Sequence, residues 1–453
     1  MSVEDYDAVA QSALALAQEA SGSHSAASET GETNESLLGR YKESLMGVFG
    51  RPQRPLVRGR GSYVWDADGK QYLDLLAGIA VNALGHGHPD VVRAVSEQIS
   101  ALGHVSNFFT SPAQVALAEK ILKLAQAPSG SAVFFTNSGT ESNEAAFKLA
   151  RRNAGTDEKP RTRIVALKQG FHGRTMGALS MTWKPAYRAP FEPLVPGVEW
   201  IEPGDVDALT EAVDETVQAV IVEPIQGEAG VRELPEGYLE EVRRLTREHG
   251  ALMIVDEVQT GIARTGEWFA SLSRVTPDAM TLAKGLGGGM PLGALVTFGE
   301  ENSKRLSAGQ HGTTFGGNPV ATAAGLAVLE ALESEGILAH VKETGAWLAE
   351  QLGQLPEVES VHGKGLLLGV EVGEGIAPHM VRVGLDAGFI INATGPSTVR
   401  LAPPLNISRD ELQTFLEAFP QIHAEAQFHA EAAKAREQEG TGEDDTQKEG
   451  QQA

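Results

Sequence analysis

Short apolar runs alternate with helical patterns through the middle of the chain. Residues 131–136 (SAVFFT), 163–168 (RIVALK), 219–224 (AVIVEP), 251–258 (ALMIVDEV), 279–283 and 293–298 read as strands. Several are apolar at every position, the mark of a strand covered by helices on both faces. The spacing predicts helices over 140–152 and over 236–248, the second opened by Pro235 and closed near Gly250. Strand–helix–strand units of this kind build a mainly parallel sheet. Ahead of them, residues 61–75 (GSYVWDADGKQYLDL) predict a hairpin turning at Asp68-Gly69. Beyond Asn318 the pattern changes. Ala/Leu-rich helices are expected near 318–334 and 338–354, then short strands within 358–372, 389–392 and 399–401, with helices near 376–387 and 408–422. The fold class expected is α/β with a second, smaller α+β unit.

Composition refines this picture. At 453 residues, 42% of them hydrophobic, the chain is long enough for two or three cores. The net charge of −23 weighs against nucleic acid and anionic membrane as partners. No apolar run is long enough to span a membrane. There is no cysteine, which excludes disulfides, thiolate nucleophiles and Cys-ligated zinc, and fits a reducing compartment. No basic residue precedes Arg40, so no signal or mitochondrial peptide is expected, and the expected location is the cytoplasm. Residues 1–39 carry seven acids and no Lys or Arg, and residues 425–453 carry eight acids and three bases. The reading is an acidic N-terminal extension over 1–39 and an acidic tail over 426–453, both disordered apart from marginal helices over the first eighteen residues and 423–436.

Three fragments could carry chemistry. The strand at 251–258 ends in Asp256-Glu257, and the carboxyl ends of parallel strands are where open α/β sheets bind ligands. A P-loop ATPase would place an acid there, but no G-x-x-x-x-G-K-[ST] exists upstream. The other functional reading sets Asp256 against a cationic ring nitrogen of a cofactor. That reading needs an anion cup and a reactive amine. Asn137-Ser138-Gly139-Thr140 follows a strand and opens a helix, where free N–H groups and the helix dipole suit a phosphate; taken alone, such a fragment is more often a plain N-cap. Lys284 ends the strand at 279–283 and precedes Gly285-Leu286-Gly287-Gly288-Gly289. Poor solvation there would lower its pKa and suit it to condense with a carbonyl. His86 and His88 (GHGHP) read as turn and packing residues, with no metal expected. Asp66, Asp68 and Gly69 miss the spacing of a calcium loop.

The strings GIAVNALGHGHP (78–89), FFTNSGTESNEAA (134–146), GFHGRTMGALS (170–180), EPIQGEAG (223–230), IVDEVQTGIARTG (254–266), LAKGLGGGMPLGA (282–294), HGTTFGGNP (311–319) and VRLAPPL (399–405) keep one order. Together they resemble the class III, or ω-amino-acid, aminotransferases that use pyridoxal 5′-phosphate (PLP), and within them the acetylornithine/ornithine branch. The likeness covers roughly residues 40–423. It implies the fold-type I architecture: a large domain over 86–320 with a mainly parallel seven-stranded sheet, a small domain from 40–85 and 321–425, and a homodimer with shared active sites.

The resemblance implies roles for particular residues. Lys284 would bind the cofactor aldehyde and serve as the base. Asp256 would face the ring nitrogen and Gln259 the ring hydroxyl. Phe171 and Val258 would cover the two ring faces. Ser138, Gly139 and Thr140 would cup the phosphate, completed by Thr314 of the other subunit. Arg400 would grip the α-carboxylate of glutamate, Glu228 would pair with Arg400 when an ω-amine donor is bound, and Arg174 would hold the distal carboxylate. Phe49 falls where free-ornithine enzymes carry a tyrosine, and the loss of that hydroxyl suits an acylated amine. The donor and acceptor so implied are N2-acetyl-L-ornithine and 2-oxoglutarate. Succinylornithine, ornithine, 4-aminobutyrate and lysine remain open as donors, and an aminomutase remains open as a different class.

Overall fold

In the computed structural model, which describes residues 31–446, seven strands form the central sheet. Their spatial order is Ala132–Thr136, Gly293–Thr297, Ala279–Leu282, Leu252–Asp256, Val217–Val222, Arg163–Leu167 and Val198–Ile201. Gly293–Thr297 runs against both its neighbours. The remaining pairs are parallel. Every residue of Val217–Val222, Leu252–Asp256 and Ala279–Leu282 is buried, as unbroken apolar runs require.

Alternate residues of these strands serve opposite faces. Val165, Leu167, Val220, Val222, Met253 and Val255 pack with Tyr238, Leu239, Val242 and Leu245 of the helix Tyr238–His249. Ile164, Ala166, Ala219, Ile221, Leu252 and Ile254 pack with Ala145, Ala146, Leu149 and Ala150 of the helix Gly139–Arg151. Each Val, Leu or Ile so buried contributes about 1.5–3 kcal/mol relative to exposure. With both faces closed by apolar contacts, polar groups can gather only at the strand ends.

The rest of the chain caps that edge. Ser360–Lys364, Leu367–Glu371, Thr398–Leu401 and Asn392–Ala393 form an antiparallel sheet. The expected hairpin is present as Tyr63–Asp66 and Gln71–Asp74, and Leu56–Arg60 adds a strand that sequence patterning did not predict. Asp66 closes the hairpin turn. Its Oδ1 accepts the N–H groups of Asp68 and Lys70 at 3.1 and 2.9 Å, and its Oδ2 accepts the Tyr72 hydroxyl at 2.7 Å. Phe389–Ile390 pairs in parallel with Gln71–Asp74, so segments from both ends of the chain share a sheet.

Further elements that were not predicted include the helices Pro89–Ala101, Pro112–Leu124 and Val206–Ala212 and the strand Val198–Ile201. The strand is a short, partly exposed edge of the sheet, so it carries little alternation. Pro112–Leu124 does have a local start signal. Ser111 caps it by accepting from Gln114 N at 3.3 Å, ahead of a proline at the first helical position.

Both acidic ends need correction. The extension expected to be disordered over 1–39 contains the start of a helix, Asn34–Ser44, opened by a capping box between Thr33 and Ser36. Asn34 joins it to the hairpin, donating from its backbone to Asp68 Oδ1 and from its side chain to Asp66 Oδ2, each at 2.9 Å. The marginal helix expected over the first eighteen residues lies outside the described residues. The helix expected to end at 422 runs Arg409–Thr446. Leu412, Phe415, Leu416, Phe419, Ile422, Ala426 and Ala430 are buried along one stripe. Small alanines continued that stripe after Ile422, so its amphipathic signal was weak while its packing was not.

Ala426 is fully buried, so Ala426→Asp should put a carboxylate into this interface. The expected loss is about 2–4 kcal/mol, read from urea unfolding at pH 7. An unchanged midpoint would mean that the helix beyond Ile422 carries no packing.

Candidate active site

The carboxyl ends of the parallel strands deliver five polar segments to one edge of the sheet. These are the turn at 137–140, the loop at 168–175, residues 223–228, the turn after Asp256, and Lys284. Asp256 lies at the end of its strand and is 3% exposed. Its Oδ2 accepts from Asn143 Nδ2 at 2.7 Å and contacts His172 Nδ1 at 2.8 Å, and its Oδ1 accepts from Val258 N at 3.0 Å. Burial alone would lower the His172 pKa, but the hydrogen bond and charge of Asp256, with Glu223 adding, hold it above the ordinary value. The neighbouring acid of the motif turns away: Glu257 is held by Ser271 and Thr260.

Lys284 takes a left-handed conformation (φ +45°) at the start of a short 3-10 turn. That backbone state is uncommon outside glycine. Its Nζ makes no hydrogen bond among the described residues. Burial lowers its pKa and Arg400 adds to the effect, against the opposing charges of Glu228, Asp256 and Glu223. A buried amine with no hydrogen bond is free to react with a carbonyl.

The anion cup is built from backbone. Ser138 caps the helix Gly139–Arg151, its Oγ accepting from Glu141 N at 3.3 Å, which leaves its own O–H to donate. The N–H groups of Gly139 and Thr140 have no partner among the described residues, and such helix-start donors suit a phosphate. A Cβ on residue 139 would lie 2.7 Å from Val258 Cγ1, so Gly139 is what lets Val258 approach the cup. The Thr140 hydroxyl is committed elsewhere. It accepts from the N–H groups of Arg174 and Thr175 at 3.0 and 3.1 Å. Because Thr175 Oγ1 donates to Glu144 at 2.6 Å, Thr140 donates to Thr175 at 2.9 Å. Thr140 therefore offers its backbone N–H to the cup, and its hydroxyl hydrogen is already spent on Thr175.

A second cluster lies where residues 223–228 meet the strand Thr398–Leu401. Arg400 is 1% exposed. Its Nη1 donates to Glu228 Oε1 at 2.5 Å and Gly227 O at 3.2 Å, with Gln259 Oε1 at 3.4 Å, and its Nη2 donates to Asn392 Oδ1 at 2.8 Å. Burial would raise the Glu228 carboxyl, but Arg400 and then Lys284 and Gln259 bring it below its usual range. The Glu228 side chain remains 38% exposed, so the pair is a fixed cation with a partner that reaches solvent.

Not every residue singled out from the sequence joins this site. Phe171 and Arg174 do, on the loop at 168–175. Thr314 is exposed and makes no hydrogen bond among the described residues, whereas neighbouring Thr313 accepts from Asn137 Nδ2 at 2.9 Å. Phe49 is 94% exposed, on a 3-10 turn among exposed Leu45, Met46 and Val48, and in the single chain it stands apart from the pocket. His86 and His88 separate, His86 to Asp74 at 3.0 Å and His88 to Glu335 at 3.1 Å. His88, Asp90 and Glu335 bring three ligand atoms within 4.8 Å of one another, although Asp90 also pairs with Arg93.

Sequence reasoning missed Asn143, His172, Glu223 and Asn392. The first three lie inside the quoted strings, but only tertiary contact shows that they converge on the Asp256 edge. Glu223 accepts from Phe171 N at 3.0 Å. Burial pushes its carboxyl up to about 8, with Asp256 adding and His172, the Phe171 N–H and Lys284 opposing. An acid raised in the fold favours folding fully below its unfolded value and loses that contribution as pH rises through the folded one. Glu223→Gln, uncharged throughout, should therefore gain melting temperature relative to the parent between pH 6 and 9. Parallel melting curves over that range would show that Glu223 ionises as an ordinary carboxylate.

The residues present fit PLP on their own evidence: a buried amine without a hydrogen bond, a carboxylate at a strand end, and two unused N–H groups at a helix start. The comparisons agree. The model for aminotransferase class-III matches residues 49–423. The acetylornithine aminotransferase of Streptomyces coelicolor is 51% identical over 395 residues, covering 86% of this chain and 96% of that one. Among solved structures, the ornithine aminotransferase of Toxoplasma gondii, with PLP at partial occupancy in its active site, superposes with a TM-score of 0.82 at 30% identity, covering 88% of this chain and 96% of that one. N-acetylornithine aminotransferase of Stenotrophomonas maltophilia gives 0.72 at 33% identity, covering 87% and 100%. The chain thus belongs to the class III aminotransferases, a PLP-dependent family, and the edge that gathers Lys284, Asp256 and the Ser138 turn has the groups such a cofactor needs.

Proposed function

We propose that this enzyme transfers the δ-amino group of N2-acetyl-L-ornithine to 2-oxoglutarate, giving N-acetyl-L-glutamate 5-semialdehyde and L-glutamate. The observation that carries the reading is the Arg400–Glu228 pair. One pocket must accept a donor whose reacting carbon bears no carboxylate, and then glutamate, whose reacting carbon bears one. With the first, Arg400 keeps Glu228 as its counter-charge, so no buried cation is left unpaired. With the second, the substrate α-carboxylate takes the place of Glu228, which swings toward solvent. Arg400 stays fixed throughout by Gly227 O and Asn392. The names of the relatives support the acylated donor.

The remaining roles follow from position. Bound PLP supplies an aldehyde that takes up the amino group and a cationic ring that draws electrons from the reacting carbon. Lys284 Nζ would remove the proton from that carbon and deliver it on, and a pKa lowered by burial favours the unprotonated amine this requires. Asp256, held by Asn143 and His172, offers its carboxylate to the ring nitrogen, and Gln259 bonds the ring hydroxyl. Phe171 and Val258 enclose the ring. The Ser138 hydroxyl and the Gly139 and Thr140 N–H groups hold the phosphate. Arg174 binds the α-carboxylate of acetylornithine in one half-reaction and the γ-carboxylate of glutamate in the other.

The unit that works is a homodimer in this reading. Leu45, Met46, Val48, Phe49, Phe108, Phe109 and Phe315 are all exposed in the single chain, more large apolar surface than an isolated subunit ordinarily leaves. Burying that surface between subunits would carry Phe49 to a site edge and Thr314 to the neighbour's phosphate cup. The large domain over 86–320 and the small domain from both chain ends belong to the same reading, supported by the pairing of Phe389–Ile390 with Gln71–Asp74.

Lys284→Ala should lower turnover by at least about 10³-fold and abolish covalent trapping of the cofactor by borohydride. Trapping at the parental level would assign the amine elsewhere. In single-turnover reactions Glu228→Ala should raise the rate with glutamate relative to acetylornithine by about tenfold, because Arg400 then lacks its internal partner. Arg400→Ala should do the reverse. A donor panel in which 4-aminobutyrate or free ornithine gives the highest ratio of rate to dissociation constant would overturn the donor assignment. Sedimentation should give a dimer or a larger even assembly, and a fully active monomer would remove the shared site.

A further inference from the structure

Tyr187 has no part in the roles assigned so far, yet it makes the closest contact of the Arg174 side chain. The Arg174 guanidinium carbon lies 3.3 Å from the centroid of the Tyr187 ring and 5.8 Å from that of Phe171. The two rings meet edge to face with centroids 6.4 Å apart. Among the described residues the guanidinium has no carboxylate partner and donates no hydrogen bond. Nothing but aromatic surface directs it, although the residue itself is exposed.

The platform is itself anchored. Tyr187 sits in the short helix Pro185–Arg188. The next residue, Arg188, donates from Nε to Trp183 O at 3.2 Å, and its guanidinium carbon lies 4.1 Å from the Trp200 ring centroid. Trp200 Nε1 in turn donates to Met181 O at 3.1 Å. Lys184 Nζ, 4.8 Å from the Tyr187 centroid, adds a second cation beside the ring. A guanidinium stacked face-on keeps its N–H edge free, so all five donors stay available to a carboxylate. An arginine already held in one orientation loses less freedom when that carboxylate arrives.

We infer that Tyr187 is a positioning residue for substrate carboxylates: its ring face, stacked on Arg174, orients the guanidinium that receives the carboxylate remote from the reacting carbon. The inference rests on the role proposed above for Arg174. Both substrates place a carboxylate there, so Tyr187 acts on both half-reactions alike, unlike Glu228 and Arg400. The ring face does the orienting, and the phenol hydroxyl does not.

The test uses the holoenzyme with two readouts: the dissociation constant of glutarate, an unreactive dicarboxylate, by calorimetry, and KM and kcat for acetylornithine and 2-oxoglutarate. Tyr187→Leu should weaken glutarate and raise both KM values by about tenfold while kcat stays within about twofold. Tyr187→Phe should restore parental values. In an Arg174→Ala background, Tyr187→Leu should change glutarate binding no further, whereas damage to the fold at large would add to the loss. Parental glutarate binding by Tyr187→Leu, a Phe variant as weak as the Leu variant, or full additivity in the double variant would each overturn the inference while leaving Arg174 in its role. If Arg174→Ala alone leaves glutarate binding and both KM values unchanged, the reading of Arg174 fails, and the inference with it.

Discussion

The Asn143 side chain ties three strand-end segments to one another through a single amide. Its Oδ1 accepts from Thr281 at 2.8 Å, and its Nδ2 donates both to His172 O and to Asp256 Oδ2 at 2.7 Å. The helix that begins at the phosphate cup, the loop that carries Phe171 and Arg174, and the strands that end in Asp256 and precede Lys284 therefore share one amide. All of these groups are buried, so each hydrogen bond left unmade would carry the full cost of a desolvated polar group. That constraint turns a set of strand ends into a site. It also leaves the buried Asp256 carboxylate with both oxygens engaged: two side chains and a backbone N–H surround them.

Legibility from sequence followed the range of each interaction. The five inner strands stood out because burial on both faces leaves unbroken apolar runs, the edge strand Ala132–Thr136 kept an apolar run of its own, and Lys284 and Asp256 stood out because they end such runs. The edge strand Val198–Ile201 did not, because none of its residues is fully buried and Glu199 faces solvent. The helix beyond Ile422 was obscured by composition. Weak amphipathicity made 423–436 read as no more than a marginal helix, yet Ala426 and Ala430 bury completely or nearly so, because a small side chain lets the helix approach its neighbours closely. The family's marker residues were found through motifs. The residues that orient them, Asn143, His172, Glu223 and Tyr187, are visible only in three dimensions, because their function is a contact between segments far apart in the chain.

The two arginines of the site illustrate opposite solutions to holding a cation. Arg400 is buried, and both its terminal nitrogens are engaged, by a carbonyl, side-chain amides and a carboxylate. Exchanging that carboxylate for one from a substrate preserves its charge balance. Arg174 is exposed and saturated by nothing, and aromatic faces fix its direction without using its donors. The first arrangement permits a choice between two ligand states. The second maintains a constant readiness for one.

The single reversed strand of the sheet has a consequence for how the chain assembles. Ala279–Leu282 pairs with Gly293–Thr297 across only residues 283–292, whereas each parallel neighbour is reached through a much longer crossover. The entropy lost on closing a loop grows with its length, and contacts between near neighbours in sequence form fastest. Lys284 lies inside that short closure. Lys284 is thus carried by the strand pairing of the central sheet that depends least on the arrival of the rest of the polypeptide.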